Sequence, residues 1–95
     1  MPVIQRIEQS TPEDPEFLFF CPGCKEGHWF KTTGGHPLWA WNGDFDKPTI
    51  NPSIHVAASR PEHRCHSWVR DGRIKFLRDS AHALSGQTVD LPEIE

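Results

Sequence analysis

The chain has few apolar residues and no long run of them. Hydrophobic residues make up 36% of its 95 residues, which is below the usual share for a globular domain. No stretch approaches the roughly 18 consecutive apolar residues that span a bilayer, and residues 1–8 contain no apolar core of signal-peptide length. We therefore expect a cytoplasmic protein that has no membrane as a partner.

The chain also has no excess of basic residues. Its 10 Lys and Arg residues stand against 13 Asp and Glu residues, and the formal net charge is −3. Proteins that bind nucleic acid usually carry a basic face. Here a modest basic cluster lies within residues 70–78, and we interpret it as the solvated face of a hairpin. Nucleic acid is therefore not an expected partner.

The motifs of several well-known enzyme classes are absent from the sequence. It has no phosphate-binding glycine loop, no nucleophile elbow and no His-Glu-x-x-His pair. Zinc deaminases carry a catalytic glutamate in a His-x-Glu type motif ahead of their Pro-Cys-x-x-Cys motif, whereas here two phenylalanines precede Cys21. These absences favour a protein without catalytic activity.

The length of 95 residues suits one domain and is too short for two. We predict a single domain over residues 1–95, with an N-terminal extension at 1–16 and a core at 17–92. Because the apolar content is low for this size, a metal, a disulfide or a partner chain is expected to help hold the domain together. Nine prolines and seven glycines disfavour long helices.

Short β-prone runs separated by turns predict a mainly β fold. Residues 17–20 form a continuous apolar run that ends at a cysteine, and residues 28–32 return from the turn that follows, as in a zinc ribbon. The pair Asp71-Gly72 between two β-prone runs predicts a hairpin with a type I′ turn. We therefore predict a small antiparallel, zinc-ribbon-like domain with two or more hairpins and at most one short helix, over residues 79–84.

The three cysteines predict a metal site. Cys21 and Cys24 are separated by Pro and Gly in a tight turn that directs both sulfurs to one point, as in half of a tetrahedral zinc site. In a reducing cytoplasm such a pair is more often a metal clip or a redox pair than a structural disulfide. A redox pair needs a helix that starts at the motif, and the residues after Cys24 suggest a loop. Cys65 is the natural third ligand of a Zn²⁺ ion.

The fourth ligand is left open among four histidines. His66 follows Cys65 directly, His28 follows the first cysteine pair, and His82 lies beyond the predicted hairpin. Adjacent residues of a regular strand point to opposite faces, so Cys65 and His66 can share an ion only where the backbone turns. We rank His66 first, with His28 and His82 as alternatives and His63 last. A closed set of four ligands makes the zinc structural, whereas an open position permits catalysis.

Several short motifs between residues 17 and 92 form a set. They are Phe20-Cys21-Pro22-Gly23-Cys24 with Gly27-His28, Trp41-Asn42-Gly43-Asp44, Lys47-Pro48-Thr49-Ile50-Asn51-Pro52-Ser53, Arg64-Cys65-His66-Ser67-Trp68-Val69, Asp71-Gly72-Arg73-Ile74 and His82-Ala83-Leu84-Ser85-Gly86-Gln87-Thr88-Val89-Asp90-Leu91. This set resembles a family of small zinc-binding proteins of tailed bacteriophages and prophages. Some members carry the label ammonia monooxygenase, which does not fit a chain this short without a membrane segment.

The resemblance implies a zinc-binding fold, a phage origin and, with that origin, a location in the host cell cytoplasm. It implies no particular activity. The positions that match the family pattern are Cys21, Cys24, His28, Cys65, His66 and His82, which favours three of the histidines over His63.

We interpret the protein as a zinc-stabilised protein-interaction module whose partner is a host factor, a defence component or a virion protein. The alternatives are a small zinc-dependent hydrolase with an open metal position and a nucleic-acid-binding zinc ribbon. Trp39 and Trp41 lie on one face of a predicted strand and, if exposed, would form a binding platform or a contact between copies in a homo-oligomer. We also consider a polar pocket lined by Asn51, His55, His66 and Asp79, although no spacing rule supports it.

Overall fold

The computed structural model describes residues 2–35, 38–57 and 61–94. Within these ranges eight short strands form two antiparallel sheets, which confirms the predicted mainly β fold. The first sheet contains β1 (Gln5–Arg6), β2 (Phe17–Cys21) and β3 (Glu26–Phe30), and the second contains β4 (Ala40–Trp41), β5 (Ile50–Val56), β6 (Cys65–Arg70), β7 (Arg73–Phe76) and β8 (Thr88–Asp90), with neighbours in chain order. A 3₁₀ turn, Pro61–His63, precedes β6.

The core lies between the two sheets and is built from alternating side chains. On β2, Phe17, Phe19 and Cys21 are buried while Phe20 is exposed, as expected for a strand with one face in the core. On β6, Cys65, Ser67 and Val69 are buried in the same way. The other face of β6, which carries His66, therefore points away from the core.

The predicted Asp-Gly hairpin is present between β6 and β7. Asp71 and Gly72 have φ values of 49° and 78°, and both central residues of a type I′ turn require positive φ. The predicted helical turn over residues 79–84 does not form a helix and is a series of tight turns. The reason is that its backbone bonds to the residue just before β6, with Ala81 N–H donating to Arg64 O at 2.7 Å.

Residues 3 and 4 belong to the same core. Val3 and Ile4 are buried, β1 pairs with β2, and Val3 N–H donates to Phe45 O at 2.8 Å. Within the described ranges, no helix has the length and apolar character that crossing a membrane would require.

Candidate active site and metal site

The Cys-Pro-Gly-Cys turn connects β2 to β3 and folds as a knuckle. Cys24 N–H lies 3.3 Å from Cys21 Sγ, and Lys25 N–H donates to Cys21 O at 2.8 Å. Lys25 adopts a φ of 59°, which reverses the chain directly after the second cysteine. A backbone N–H aimed at a sulfur stabilises its thiolate, the form that binds metal.

The structure brings Cys65 and His82 to this knuckle. Cys65 Sγ lies 3.9 Å from Cys21 Sγ and 3.5 Å from His82 Nε2. Zinc bonds of about 2.3 Å to sulfur and 2.0–2.1 Å to nitrogen in a tetrahedron place two sulfurs about 3.8 Å apart, and a sulfur and a nitrogen about 3.5 Å apart. The four donor atoms of Cys21, Cys24, Cys65 and His82 all lie within 4.8 Å of one another. These four residues can therefore hold a metal ion.

The pKa values of the three cysteines also indicate a site for a cation. The Cys65 thiol donates to Cys21 and, with the nearby His28, lowers the pKa of Cys21 to about 4. Burial and the charge of Cys21 raise the pKa of Cys24 to about 11, and the hydrogen bond to Cys21 and burial raise the pKa of Cys65. The opposite directions of these pKa shifts reflect the cost of placing three thiolates side by side, and a divalent cation would stabilise all three as thiolates.

The predicted fourth ligands occupy three different places. His82 is part of the group of four donors, and its ring packs edge-on against Phe76 with centroids 4.4 Å apart. His28 is buried beside the knuckle, and its Nε2 has no hydrogen-bond partner among the described residues. His66, ranked first from the sequence, points away from the sulfurs because Cys65 and His66 are neighbours in a regular strand.

Gly23 packs directly against the His82 ring. A methyl group at Gly23 would overlap this ring, whereas one at Gly27 would have its nearest contact at 3.9 Å. We therefore expect Gly23→Ala to displace His82 and to lower the free energy of unfolding of the metal-loaded protein by about 1–3 kcal/mol. Chemical denaturation with matched metal content checks this, and Gly27→Ala is the control. Equal stability of the Gly23→Ala protein and the wild type would contradict the packing.

A row of three polar residues lies on the outer face of the second sheet. Ser53 on β5 has its Oγ 2.9 Å from His66 Nε2 on β6, and His66 Nδ1 lies 3.2 Å from Asp79 Oδ2. A carboxylate can only accept, so Nδ1 carries the proton and Nε2 accepts from the Ser53 hydroxyl. This is the hydrogen-bonding order of nucleophile, base and acid in a serine hydrolase.

Ser80 fixes the position of the Asp79 segment. Its hydroxyl accepts from His66 N–H and donates to His66 O, both at 3.0 Å, and Leu77 N–H donates to His66 O at 2.8 Å. These bonds hold the turn that carries Asp79 against the backbone of His66, and Asp79 contacts the ring of the same histidine. Ser80 is buried, which fits a positioning residue.

Asp79 is suited to a partnership with an imidazole. Loss of hydration raises its pKa, but the hydrogen bond from His66 and the nearby imidazole charge outweigh this, so the pKa of Asp79 is lowered overall. Its carboxylate therefore stays ionised and can hold the His66 ring in one orientation and stabilise the imidazolium that forms when the base takes a proton.

His55 lies beside the row and allows a second arrangement. Donor atoms of His55, His66 and Asp79 form another group that could hold a metal ion. However, the His55 and His66 rings are stacked, with centroids 4.2 Å apart and planes 10° apart. The in-plane lone pairs of stacked rings run parallel instead of converging on one ion. The geometry therefore favours the hydrogen-bonded row.

Sequence reasoning missed Ser53. Three of the four residues grouped as a polar pocket lie together here, since His55, His66 and Asp79 are neighbours. Ser53 lies on β5, which pairs with β6 in the register His55 with His66. Ser53 ends the motif that begins at Lys47, but this motif is not a known nucleophile signature. The available signal was therefore the strand register, which the sequence does not specify.

One family model matches the chain. It is BubE, described as a bacterial ubiquitination-like system serine protease, and it matches residues 3–77, roughly four fifths of the 95 residues. The matched range includes Ser53 and His66, and Asp79 lies two residues beyond it. No curated protein and no solved structure matches the chain. The match does not address a phage origin, which stays a prediction.

This match corrects the functional interpretation made from the sequence. The interpretation as a protein-interaction module without catalytic activity is wrong, because the matching family is described as a serine protease. The hydrolase that was kept as an alternative agrees better with the match. The error has a physical origin, since the absence of linear catalytic motifs says nothing about residues that a β-sheet assembles from separate strands. The chain belongs to the BubE family of bacterial ubiquitination-like system serine proteases.

Proposed function

We propose that this protein is a serine protease in which Ser53 is the nucleophile, His66 the general base and Asp79 the residue that orients the base. The observation that carries this proposal is the continuous row of hydrogen bonds from Ser53 Oγ through His66 to Asp79, at 2.9 and 3.2 Å. The residues occur in the chain order Ser, His, Asp. Such triads are recognised by geometry and not by chain order, since unrelated folds use different orders.

The reaction follows from these contacts. Ser53 Oγ attacks the scissile carbonyl while His66 Nε2 takes the hydroxyl proton, and Asp79 stabilises the imidazolium. His66 then gives the proton to the leaving group as the tetrahedral intermediate collapses to an acyl-enzyme. A water molecule, deprotonated by His66, attacks the ester, and the proton returns to Ser53 as the acid product leaves.

The family description supports a protein as the substrate. It places the family in a bacterial ubiquitination-like system, so we propose that the expected protein partner is the substrate, cleaved at an acyl bond. The triad lies on the outer face of an open sheet, where His55 is exposed and Ser53 and His66 are partly exposed. A polypeptide can reach a site on an open face more easily than it can reach a site in a deep pocket.

We further propose that Zn²⁺ occupies the site of Cys21, Cys24, Cys65 and His82. Three thiolates and one imidazole are a set typical of structural zinc, and four protein ligands leave no open position. The ion, when bound, supplies folding free energy by joining the knuckle to β6 and to the turn after β7. Catalysis is thereby assigned to Ser53 instead of to an open metal position.

An active-site serine probe tests the proposal. A fluorophosphonate reacts with a serine whose proton is removed by a neighbouring base, forming an O–P bond and releasing fluoride. We expect one adduct on the folded protein, located at Ser53 by peptide mass spectrometry. His66→Ala should slow labelling by about 10²-fold or more, the usual contribution of a general base.

Ser10→Ala is the matched control, because Ser10 is exposed and lies outside the triad. It should label like the wild type. An adduct on another residue, or no adduct on wild-type protein that is folded and metal-loaded, would contradict the proposal.

A further inference from the structure

A groove of about 330 Å³ is lined by the three residues of β5 that follow the proposed nucleophile. Trp29, Trp39 and Val56 form much of its wall, and Ile54 and His55, which follow Ser53 on β5, line it too. Glu13 and Lys31 are its two charged lining residues, and the Lys31 ammonium donates to Glu13 O at 2.7 Å. The groove reaches the catalytic row in two ways, because His55 stacks on His66 and Trp39 Nε1 donates to Ser53 O at 3.4 Å. A molecule held in the groove would therefore contact the strand that carries the nucleophile.

The groove lies along an open edge of β5. The neighbouring strand β4 pairs with Ile50 and Asn51 and stops there, so among the described residues no strand pairs with this side of β5 beyond Asn51. Ser53 O faces this side, since it accepts from Trp39. Residues two apart in a strand direct their peptide groups to the same side, which points the N–H and C=O of His55 into the groove. Unpaired groups of this kind are a template for another strand.

We propose that the substrate binds as an extended strand, antiparallel to β5, and places an apolar side chain in the groove. This inference rests on the proposed function and deepens it by naming the substrate class, a polypeptide with a large apolar residue near the cleaved bond. It assigns Trp29 and Trp39 as specificity-determining residues.

The antiparallel direction decides which part of the substrate lies in the groove. The scissile carbonyl lies next to Ser53, and the groove follows β5 toward Val56. A strand that runs opposite to β5 passes Val56 and His55 before it reaches Ser53. The groove therefore holds residues on the N-terminal side of the cleaved bond, within about three positions at the rise of about 3.3 Å per residue.

The walls select the chemistry of the occupant. Trp29 is 59% exposed, although it sits on a regular strand, and burying an aromatic surface of this size against an apolar partner is strongly favourable. The volume is sufficient for one or two side chains and too small for a folded element. Aromatic and long aliphatic side chains are therefore preferred over charged ones.

Cleavage profiling of a defined mixture of synthetic peptides by mass spectrometry tests the proposal, because it records residues on both sides of each cut. We expect apolar residues to be enriched at one of the three positions before the cut. Trp29→Ala should reduce kcat/KM for a peptide with that residue by about 10-fold or more and leave cleavage of its alanine analogue nearly unchanged. Its rate of fluorophosphonate labelling should equal that of the wild type.

Phe20→Ala is the matched control, because it removes an exposed aromatic side chain from the same sheet outside the groove. It should cleave both peptides like the wild type. A preference located after the cut, or no apolar preference in protein that labels at Ser53, overturns the groove proposal and leaves the proposed function standing. Failure of the wild type to label overturns the proposed function, and this inference with it.

Discussion

Ser53→Ala is expected to reduce hydrolysis by about 10⁴- to 10⁶-fold, the range for removal of the nucleophile from an established serine triad. The variant should fold normally, since Ser53 is only partly buried and its hydroxyl contacts His66 alone among the described residues. Steady-state cleavage of a peptide or protein substrate measures the loss. Circular dichroism and metal content should match those of the wild type.

A second variant, with a smaller expected effect, separates the role of Asp79 from that of Ser53. Asp79→Asn keeps the shape of the side chain but can donate to His66, which favours the wrong tautomer of the ring. We expect kcat to fall by about 10²- to 10⁴-fold, less than for Ser53→Ala, with little change in KM. The double variant should be no worse than Ser53→Ala, because residues that act as a unit are not additive.

A different ranking would contradict the triad. If Ser53→Ala retained most of the activity while His55→Ala and Asp79→Ala abolished it, the reaction would use the group formed by His55, His66 and Asp79. A hydrolase of that kind would need an ion held by those residues. Measuring the three variants side by side therefore distinguishes nucleophilic serine catalysis from metal-assisted hydrolysis.

Local features of the fold could be predicted from the sequence because a few adjacent residues determine them. The Cys-Pro-Gly-Cys knuckle and the Asp71-Gly72 turn each depend on a tight reversal of the chain. The residue types at these positions predict such a reversal directly. The mainly β fold followed from short apolar runs between turn residues. In each case the physical cause acts within about five residues.

The choice between His66 and His82 depended on one non-local fact. The alternation rule already excluded His66 if Cys65 and His66 lay in a regular strand, and β6 begins at Cys65. The ends of strands are poorly determined by sequence. A turn at Cys65 would have allowed His66 to lie beside the sulfurs. The triad is harder still, since Ser53, His66 and Asp79 meet through the pairing of β5 with β6 and through Ser80.

Removal of the metal is expected to unfold the domain. Structural zinc contributes about 10–16 kcal/mol of binding free energy to small zinc domains, whereas domains of this size are stable by about 5–15 kcal/mol in total. The ion would join β2, β6 and the turn at His82, which lie far apart in the chain. A strong chelator should therefore remove the cooperative thermal transition, and Cys65→Ser should yield a protein without one.

Ser67→Ala controls for this effect, because Ser67 is buried on the same face of β6 and its hydroxyl has no hydrogen-bond partner among the described residues. It should bind metal like the wild type and unfold within about 1 kcal/mol of it. Since Cys65 and His66 face opposite sides of β6, a structural ion predicts one further result. During partial chelation, fluorophosphonate labelling of Ser53 should fall in proportion to the folded fraction. Labelling lost while the protein stays folded would instead place the ion in the catalytic reaction.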